Sequence, residues 1–346
     1  MAKKAKTQET EIKVSNHILD IITKKYGKSG VVNAQDILDR PQHIFSISPK
    51  LDIGLSGGIP EGSWVILSGP QKCGKSSLAL WIASLVQKPE NGSRNVYYID
   101  AEGRLKKMNL SGTNGLDLEK FTVIQSSVEK IFSAEEFLDI CETVIKNDPG
   151  CLVIIDSSSA LCSSKEMIDD LSGQTRSIGP KLFSSFCKRM GTVVPVQRTT
   201  VIVIQHLIAN TSGYGPSQME DGGRKLQYQV DVKLRCKGIE KWEEGNGEDK
   251  RQIGQMVKWD VMYSALGPPG QEVVSALRYG EGIDTVWEMI DLSCDLGLIS
   301  KGGAWFTLFP NEENPVKIQG LNNLRNYLVE KPELLEKLEN SYKEIM

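Results

Sequence analysis

Residues 69–76 read Gly-Pro-Gln-Lys-Cys-Gly-Lys-Ser, and this segment constrains the fold more than any other in the chain. Its two glycines allow the backbone to curl so that successive N–H groups converge on one anion. The apolar run at residues 64–67 predicts a buried strand before it, and the segment from Ser77 onward predicts an apolar-faced helix after it. The helix N-terminus adds partial positive charge at the same point. We therefore predict a strand–loop–helix unit that binds a nucleotide; a glycine-rich turn without a ligand is the alternative.

The side chains of this loop suit a triphosphate and its metal ion. Lys75 is placed to reach the β- and γ-phosphates, and the Ser76 hydroxyl is placed to bind Mg²⁺. Cys73 lies where positive charge lowers a thiol pKa, although a small loop-filling residue is the simpler interpretation. We predict ATP and Mg²⁺ as ligands, with nucleotide contacts along the whole segment: Gly69, Pro70, Gln71, Lys72, Cys73, Gly74, Lys75, Ser76 and Ser77.

The composition argues against several classes of protein. The 346 residues are 40% apolar and 25% charged, which is typical of a globular chain in water. No apolar run approaches the length of a membrane span, and the polar N-terminus lacks the apolar core of a signal peptide. The seven cysteines are odd in number and contain no C-x-x-C pair. They predict reduced thiols in a cytoplasm, and neither disulfides nor a zinc site.

Apolar segments alternate with amphipathic ones through the middle of the chain. We predict buried strands at 95–99, 121–124, 151–155 and 200–204, and helices at 134–146 and 181–190. Continuously apolar strands of this kind occur in parallel sheets, where helices cover both faces. The pattern therefore predicts an α/β fold with a mostly parallel central sheet.

The two ends of the chain have a different texture. Before the sheet we predict a helix over 11–26, a short strand at Val31 and Val32, and a loop over 51–60. After residue 222 we predict antiparallel strands at 228–235 and 255–263 around a charged loop at 237–251, and then helices at 285–296, 321–328 and 332–345. We therefore expect an N-terminal helix and strand segment (1–45), an ATPase core (46–279) and a small α+β C-terminal domain (280–346).

Polar side chains stand at the ends of three predicted strands. Asp156 is predicted to supply a second anchor for Mg²⁺, with capping of the next turn as the alternative. Glu102 is predicted to orient and deprotonate the water that attacks the γ-phosphate, and Asp100 competes for this role. Gln205 and His206 are predicted to sense the γ-phosphate and to pass that state to the loop that follows, unless they are purely structural.

Charge is unevenly distributed, although the net charge is only −3. Residues 171–219 contain no Asp or Glu but include five basic residues: Arg176, Lys181, Lys188, Arg189 and Arg198. Such a bias marks a polyanion-binding face or, equally well, a neutral surface with ordinary lysines. This stretch overlaps the glycine-rich loop at 207–223, which presents Tyr214 between two glycines, where its ring can stack on a nucleic-acid base.

These residues together resemble the RecA family of recombinases, and within it the compact phage branch typified by UvsX. The likeness covers nearly the whole chain. It is carried by Leu-Asp-Ile-Gly-Leu at 51–55, Ile-Asp-Ala-Glu at 99–102, Ile-Ile-Asp-Ser at 154–157, Gly-Gly-Arg-Lys-Leu at 222–226, Tyr-Gly-Glu-Gly-Ile at 279–283 and Gly-Ala-Trp-Phe at 303–306. The last two segments are the more specific, since many ATPases share a phosphate loop and an acidic strand end.

The resemblance implies a RecA-like ATPase that forms a helical filament of its own copies on single-stranded DNA and exchanges strands with homologous double-stranded DNA. It makes Glu102 the hydrolytic carboxylate, and it places DNA loops at 163–181 and 207–224, both of which overlap the acid-free stretch. It implies DNA contacts for Arg176, Lys181, Arg189, Gly213, Tyr214, Gly215, Gly222, Gly223 and Arg224, and subunit contacts for Val31, Val32 and Tyr228. The phage branch adds a loading mediator and a single-strand-binding protein as partners, in a bacterial or phage-infected cytoplasm.

Three positions depart from the family pattern. His206 stands where bacterial members usually carry Gln. The paired lysines that reach a neighbour's ATP find no match in residues 259–266, and the aromatic residue that stacks on adenine is replaced near Asn109. We also keep two alternatives of a different class: a ring-forming motor of RecA fold, such as a helicase, and an ATP-switched mediator that loads another recombinase.

Overall fold

A computed structural model describes residues 17–168, 178–209, 218–220, 226–245 and 247–345. The chain divides into two compact units, residues 1–42 and 43–346. The helices are α1 (within 17–26), α2 (Ala34–Leu38), α3 (Pro49–Leu55), α4 (Lys75–Val86), α5 (Lys107–Ser111), α6 (Ala134–Asn147), α7 (Ser164–Ile168), α8 (Ile178–Met190), α9 (Val193–Val196), α10 (Thr285–Asp295), α11 (Leu321–Glu330) and α12 (Pro332–Ile345).

The strands form one large sheet and two small ones. They are β1 (Ile44–Phe45), β2 (Ile59–Pro60), β3 (Trp64–Gly69), β4 (Val96–Asp100), β5 (Phe121–Gln125), β6 (Leu152–Asp156), β7 (Thr200–Ala209), β8 (Gln218–Glu220), β9 (Val232–Glu244), β10 (Arg251–Tyr263), β11 (Glu272–Arg278), β12 (Gly282–Ile283), β13 (Ile299–Gly302), β14 (Trp305–Leu308) and β15 (Val316–Gln319).

The large sheet has the order β12-β11-β10-β9-β3-β7-β6-β4-β5, and β8 pairs with β7. The block from β9 to β5 is parallel, whereas β10, β11 and β12 extend it in antiparallel fashion. The predicted α/β fold with a mostly parallel central sheet is therefore confirmed. Its parallel strands end together at one edge, where ligands bind in open α/β sheets.

Apolar cores lie on both faces of this sheet because successive strand residues point to opposite sides. On β3, Leu67 joins the core beside α4, and Ile66 joins the core that contains α6 and α8. Both side chains are fully buried. This two-sided burial explains why the central strands carry apolar residues at consecutive positions.

A third core belongs to the C-terminal region, where α10, α11 and α12 pack with the sheet β13-β14-β15. The three helices match their predicted ranges closely. No individual strand was predicted within the expected α+β domain, because each strand of the small sheet is only four residues long. The position of Phe306 in this core shows that the Gly-Ala-Trp-Phe segment is part of the apolar packing.

Three predicted elements are wrong. Residues 51–60 are not a loop, because α3 begins at Pro49 with Ser48 as its N-cap and β2 follows it. Val31 and Val32 form no strand in the described single chain. Most of the charged segment 237–251 is strand, since β9 continues to Glu244 and pairs with β10. Charged side chains are tolerated there because the distal part of this hairpin is largely exposed.

Candidate active site

The phosphate loop joins the carboxyl end of β3 to the start of α4. Gly69 and Gly74 have φ values of 151° and 89°, which side-chain-bearing residues rarely adopt. A Cβ on Gly69 would lie only 2.7 Å from Cβ of Cys236, so a larger residue does not fit. Among the described residues no side chain caps α4 at Gly74, which leaves the N–H groups of its first turn for an anion.

Lys75 lies folded against its own loop. Its Nζ donates hydrogen bonds to the carbonyl oxygens of Gly69 at 3.0 Å and Pro70 at 2.6 Å. The residue is only 5% exposed, so these carbonyl contacts satisfy a buried ammonium group. The cation is thus held at the loop centre, next to where the predicted phosphates would bind.

Asp156, at the end of β6, lies beside Ser76. The Ser76 hydroxyl donates to Oδ2 of Asp156 at 2.7 Å, and the Tyr98 hydroxyl donates a short hydrogen bond to the same oxygen. Burial raises the pKa of the Asp156 carboxyl. A hydroxyl and a carboxylate are hard oxygen ligands, so this pair suits Mg²⁺. The described residues hold no group of three or more His, Cys, Asp or Glu that could bind a metal, and Mg²⁺ needs none, since phosphates and water complete its shell.

Glu102 lies on the turn after β4 and contacts two neighbouring strands. Its Oε1 accepts hydrogen bonds from Ser157 Oγ at 2.7 Å and from His206 Nε2 at 2.5 Å. Since an ionised carboxylate only accepts, the proton of His206 must lie on Nε2. Burial opposes ionisation, but these two hydrogen bonds hold the pKa of Glu102 below its ordinary value. The carboxylate is therefore ionised at neutral pH, as a general base requires.

Asp100, the competing carboxylate, is engaged elsewhere. Its two oxygens accept the backbone N–H groups of Arg104 at 3.1 Å and Leu105 at 2.9 Å, and the residue is 3% exposed. It therefore closes the turn that carries Glu102. The Arg104 side chain returns over that turn, with Nε 3.6 Å from Oε2 of Glu102.

One cavity of about 700 Å³ is lined by Lys75, Ser76, Tyr98, Glu102, Arg104 and Asp156. The cavity also includes a wall that the sequence did not indicate, built by β9, β10 and β11 through Lys241, Gln252, Gln255 and Arg278. No local pattern marks these residues as functional, because the fold of the antiparallel extension alone brings them over the phosphate loop. Asn109 lines the cavity where the family pattern led us to expect an aromatic residue.

Gln205 and His206 are adjacent on β7 and therefore point to opposite faces of the sheet. His206 lines the cavity and contacts Glu102. Gln205 is 1% exposed, is absent from the cavity lining and lies in register with Ser68 of β3. The structure thus brings His206, but not Gln205, to the predicted nucleotide.

The predicted DNA and subunit contacts are described only in part. Lys181 is exposed on α8, whereas Arg189 on the same helix forms an ion pair with Glu142 of α6. Tyr228 is 84% exposed and Val32 47% exposed, while Val31 is half-buried. The following predicted DNA contacts lie outside the described residues: Arg176, Gly213, Tyr214, Gly215, Gly222, Gly223 and Arg224.

Comparison with known proteins covers almost the whole chain. Residues 13–284 match the family model of the RecA N-terminal domain, and residues 287–345 match that of the RecA C-terminal domain. The matches favour a recombinase over the ring-forming motor and the mediator. Among the described residues, no helix combines the length and the apolar character that a membrane crossing needs.

Curated relatives agree with the family models. The chain is 30% identical over 331 residues to the chromosomal protein RecA of Lactococcus lactis subsp. lactis, covering 93% of this chain and 81% of that protein. It is 29% identical over 330 residues to protein RecA of Nitratiruptor sp., covering 94% and 91%, and 30% identical over 321 residues to protein RecA of Acholeplasma laidlawii, covering 92% of both. The chain therefore belongs to the RecA family and is a DNA-dependent ATPase that catalyses homologous pairing and strand exchange in DNA repair.

Proposed function

We propose that Glu102 is the general base of ATP hydrolysis in this recombinase. The observation that carries the proposal is the contact of its Oε1 with both Ser157 and His206 inside the cavity of the phosphate loop. The hydrogen bond from Ser157 holds Oε1 in place. It thereby fixes the orientation of the carboxylate toward an attacking water. The buried Asp100 is a poorer candidate because both its oxygens already hold backbone N–H groups.

Lys75, Ser76 and Asp156 form the other half of the proposed chemistry. Lys75 neutralises charge on the β- and γ-phosphates once it leaves the carbonyls of Gly69 and Pro70. Ser76 and Asp156 hold Mg²⁺, which when bound neutralises charge on the phosphate oxygens. The raised pKa of Asp156 supports this role, because a buried carboxylate with only neutral hydrogen-bond donors gains most from a cation.

His206 is the proposed sensor of the γ-phosphate. It links the hydrolytic carboxylate to β7, whose end leads into the predicted DNA loop at 207–224. A change at the γ-phosphate that alters the contact between His206 and Glu102 is then passed along the strand to DNA. We propose no nucleotide contact for Gln205, whose predicted sensor role is not supported by its position on the other face.

For the macromolecular partners we propose a helical filament on single-stranded DNA, with segments 163–181 and 207–224 toward the DNA. Neither is a loop throughout, because the first contains α7 and the start of α8 and the second contains the end of β7 and all of β8. Residues 1–45 would serve as the polymerisation segment, 46–279 as the ATPase core and 280–346 as the C-terminal domain. The exposed Val32 and Tyr228 are suited to contacts between subunits. We also propose the phage UvsX branch, with a single-strand-binding protein and a loading mediator as partners, acting in a bacterial or phage-infected cytoplasm.

Electron microscopy of the protein with ATP, Mg²⁺ and single-stranded DNA tests this proposal, together with a strand-exchange assay. Helical filaments and exchanged strands are expected; closed hexameric rings would point to a motor, and exchange only with a second recombinase would point to a mediator. If about three phosphates are neutralised per protomer, log K falls with log salt with a slope of roughly −2. Salt-insensitive binding that needs no ATP would overturn the proposal.

A further inference from the structure

Glu220 is the centre of a buried polar cluster on the sheet face opposite the nucleotide cavity. It is the first acidic residue after the acid-free stretch, and its side chain is 4% exposed. It lies on β8 directly opposite Leu207, the residue after His206, in the register of the β7–β8 hairpin. A charge so deeply buried requires close partners.

Those partners come from the strands that flank the phosphate loop. Oε2 of Glu220 accepts from Nζ of Lys233 at 2.6 Å and from Nε2 of Gln227 at 2.6 Å. Oε1 accepts from Arg235 NH2 at 2.5 Å and from the hydroxyl of Ser68 at 3.2 Å. Both carboxylate oxygens are thus fully used by the described neighbours, and Lys233 is itself only 2% exposed.

The Ser68 contact gives the cluster its significance. Ser68 is the residue before Gly69, where the phosphate loop begins, and it is in register with Gln205 on one side and Arg235 on the other. Strand alternation places Ser68 and Gln205 on this face, and Gly69 and His206 on the nucleotide face. The β7–β8 hairpin therefore contacts the ATP site through two hydrogen bonds. His206 contacts Glu102 on one face of the sheet, and Glu220 contacts Ser68 on the other.

We propose that Glu220 is a positioning residue that fixes the β7–β8 hairpin, and the DNA loop it carries, to the strand of the phosphate loop, so that DNA binding stimulates ATP hydrolysis. This inference rests on the proposed function of loop 207–224. Glu220 does not line the nucleotide cavity, and its side chain is only 4% exposed. Its effect passes through Ser68 and through the alignment of β7 with β3.

Two variants separate this role from simple support of the fold. Ser68→Ala removes the contact with β3 and leaves the ion pairs of Glu220 in place. Glu220→Gln combined with Lys233→Met removes the carboxylate without leaving a buried lysine unpaired, which would destabilise the fold by itself. Ser84→Ala is the matched control, because Ser84 is equally buried in α4 and donates its hydroxyl to a backbone carbonyl, that of Trp81.

The measurement is the ratio of kcat for ATP hydrolysis with and without single-stranded DNA, together with KM for ATP and the melting temperature. We expect the ratio to fall at least fivefold in Ser68→Ala and further in the double variant, with KM for ATP and melting temperature near the wild-type values in Ser68→Ala. Unchanged ratios, or equal losses with and without DNA, would overturn the inference alone. A wild-type protein without any DNA stimulation would overturn the proposed function, and this inference with it.

Discussion

Nε2 of His206 lies 2.5 Å from Oε1 of Glu102, although 104 positions separate the two residues in the chain. The contact joins the turn after β4 to β7 across β6, and Ser157, the residue that follows β6, donates to the same oxygen. One oxygen of Glu102, on the turn after β4, thus accepts hydrogen bonds from a residue after β6 and from a residue within β7. This arrangement makes Glu102 both a group that can act on water and a group that can report its state to β7.

Replacing Glu102 by Gln is expected to lower kcat for ATP hydrolysis by about 10²- to 10⁴-fold, which is the usual loss when a general base is removed. Nucleotide binding and DNA binding with ATP should remain, because Lys75 and the loop N–H groups are untouched. A hydrolysis assay and a fluorescent nucleotide titration test this. A wild-type rate in Glu102→Gln would transfer the role of the base to Asp100.

His206→Ala is expected to uncouple nucleotide state from DNA affinity. Coupling energies between sites are typically 1–3 kcal/mol, so the affinity for single-stranded DNA in wild type should differ about 5- to 150-fold between a non-hydrolysable ATP analogue and ADP. The variant should lose most of this difference, because Glu102 keeps its contacts with Ser157 and Arg104 but loses its only contact with β7 among the described residues. Fluorescence anisotropy with labelled DNA measures both affinities, and a preserved difference would contradict the sensor role.

Much of the fold and part of the site could be predicted from the sequence. The carboxyl ends of parallel strands lie at the same edge of a sheet. The sequence alone therefore predicts that Glu102, Asp156 and His206 lie near one another. Alternation also separates Gln205 from His206, but the sequence does not say which face of β7 lies toward the phosphate loop. That choice depends on the side on which α4 packs, which is a property of the whole sheet.

Other features arise only from the tertiary structure. Tyr98 donates a hydrogen bond to Asp156, although its strand shows only a buried β pattern in the sequence. Gln255 lines the cavity beside the phosphate loop because of the register in which β10 pairs. One sequence feature distinguishes Glu220, because it is the first acidic residue after the acid-free stretch. Its partners Ser68 and Lys233 had none, because a serine and a lysine within apolar strands carry no periodic pattern.

Lys75→Ala is expected to abolish nucleotide-dependent assembly on DNA. A ligand at 100 times its Kd stabilises the folded state by about 2.7 kcal/mol, and this gain should be absent in the variant. Without nucleotide the loss should be small, because the amine of Lys75 contacts only groups of its own loop, the carbonyls of Gly69 and Pro70 and the thiol of Cys73. Thermal unfolding with and without ATP measures both effects. A wild-type ATP-induced shift in melting temperature would contradict the role of Lys75.

Cys73 is only 1% exposed, so it is expected to react slowly with iodoacetamide, at a rate that rises as the pH passes about 7. A hydrogen bond with the Cys236 thiol lowers the pKa of Cys73 to about 7. Burial opposes this shift, and the charge of the Lys75 amine adds to it. Since Cys73 lines the nucleotide cavity, ATP should slow its labelling several-fold. The exposed Cys162, whose pKa is raised, is an internal control that ATP should not affect. Mass spectrometry of the labelled peptides reports both sites, and equal protection of Cys162 would contradict specific shielding by the nucleotide.

Acid should weaken the fold through Glu220. Burial opposes ionisation, but the hydrogen bonds and charges of Lys233 and Arg235 lower the pKa of Glu220 from 4.5 to about 2. Its folded-state pKa is thus depressed, so its contribution is complete above pH 4.5 and is lost as the pH falls toward 2. At about 1.4 kcal/mol per pKa unit the contribution is at most about 3.5 kcal/mol, reduced by the cost of burying Lys233. Urea unfolding between pH 5 and pH 3 should show a steeper fall in unfolding free energy for wild type than for the Glu220→Gln, Lys233→Met variant. Equal falls in the two proteins would show that Lys233 and Arg235 do not lower the pKa of Glu220.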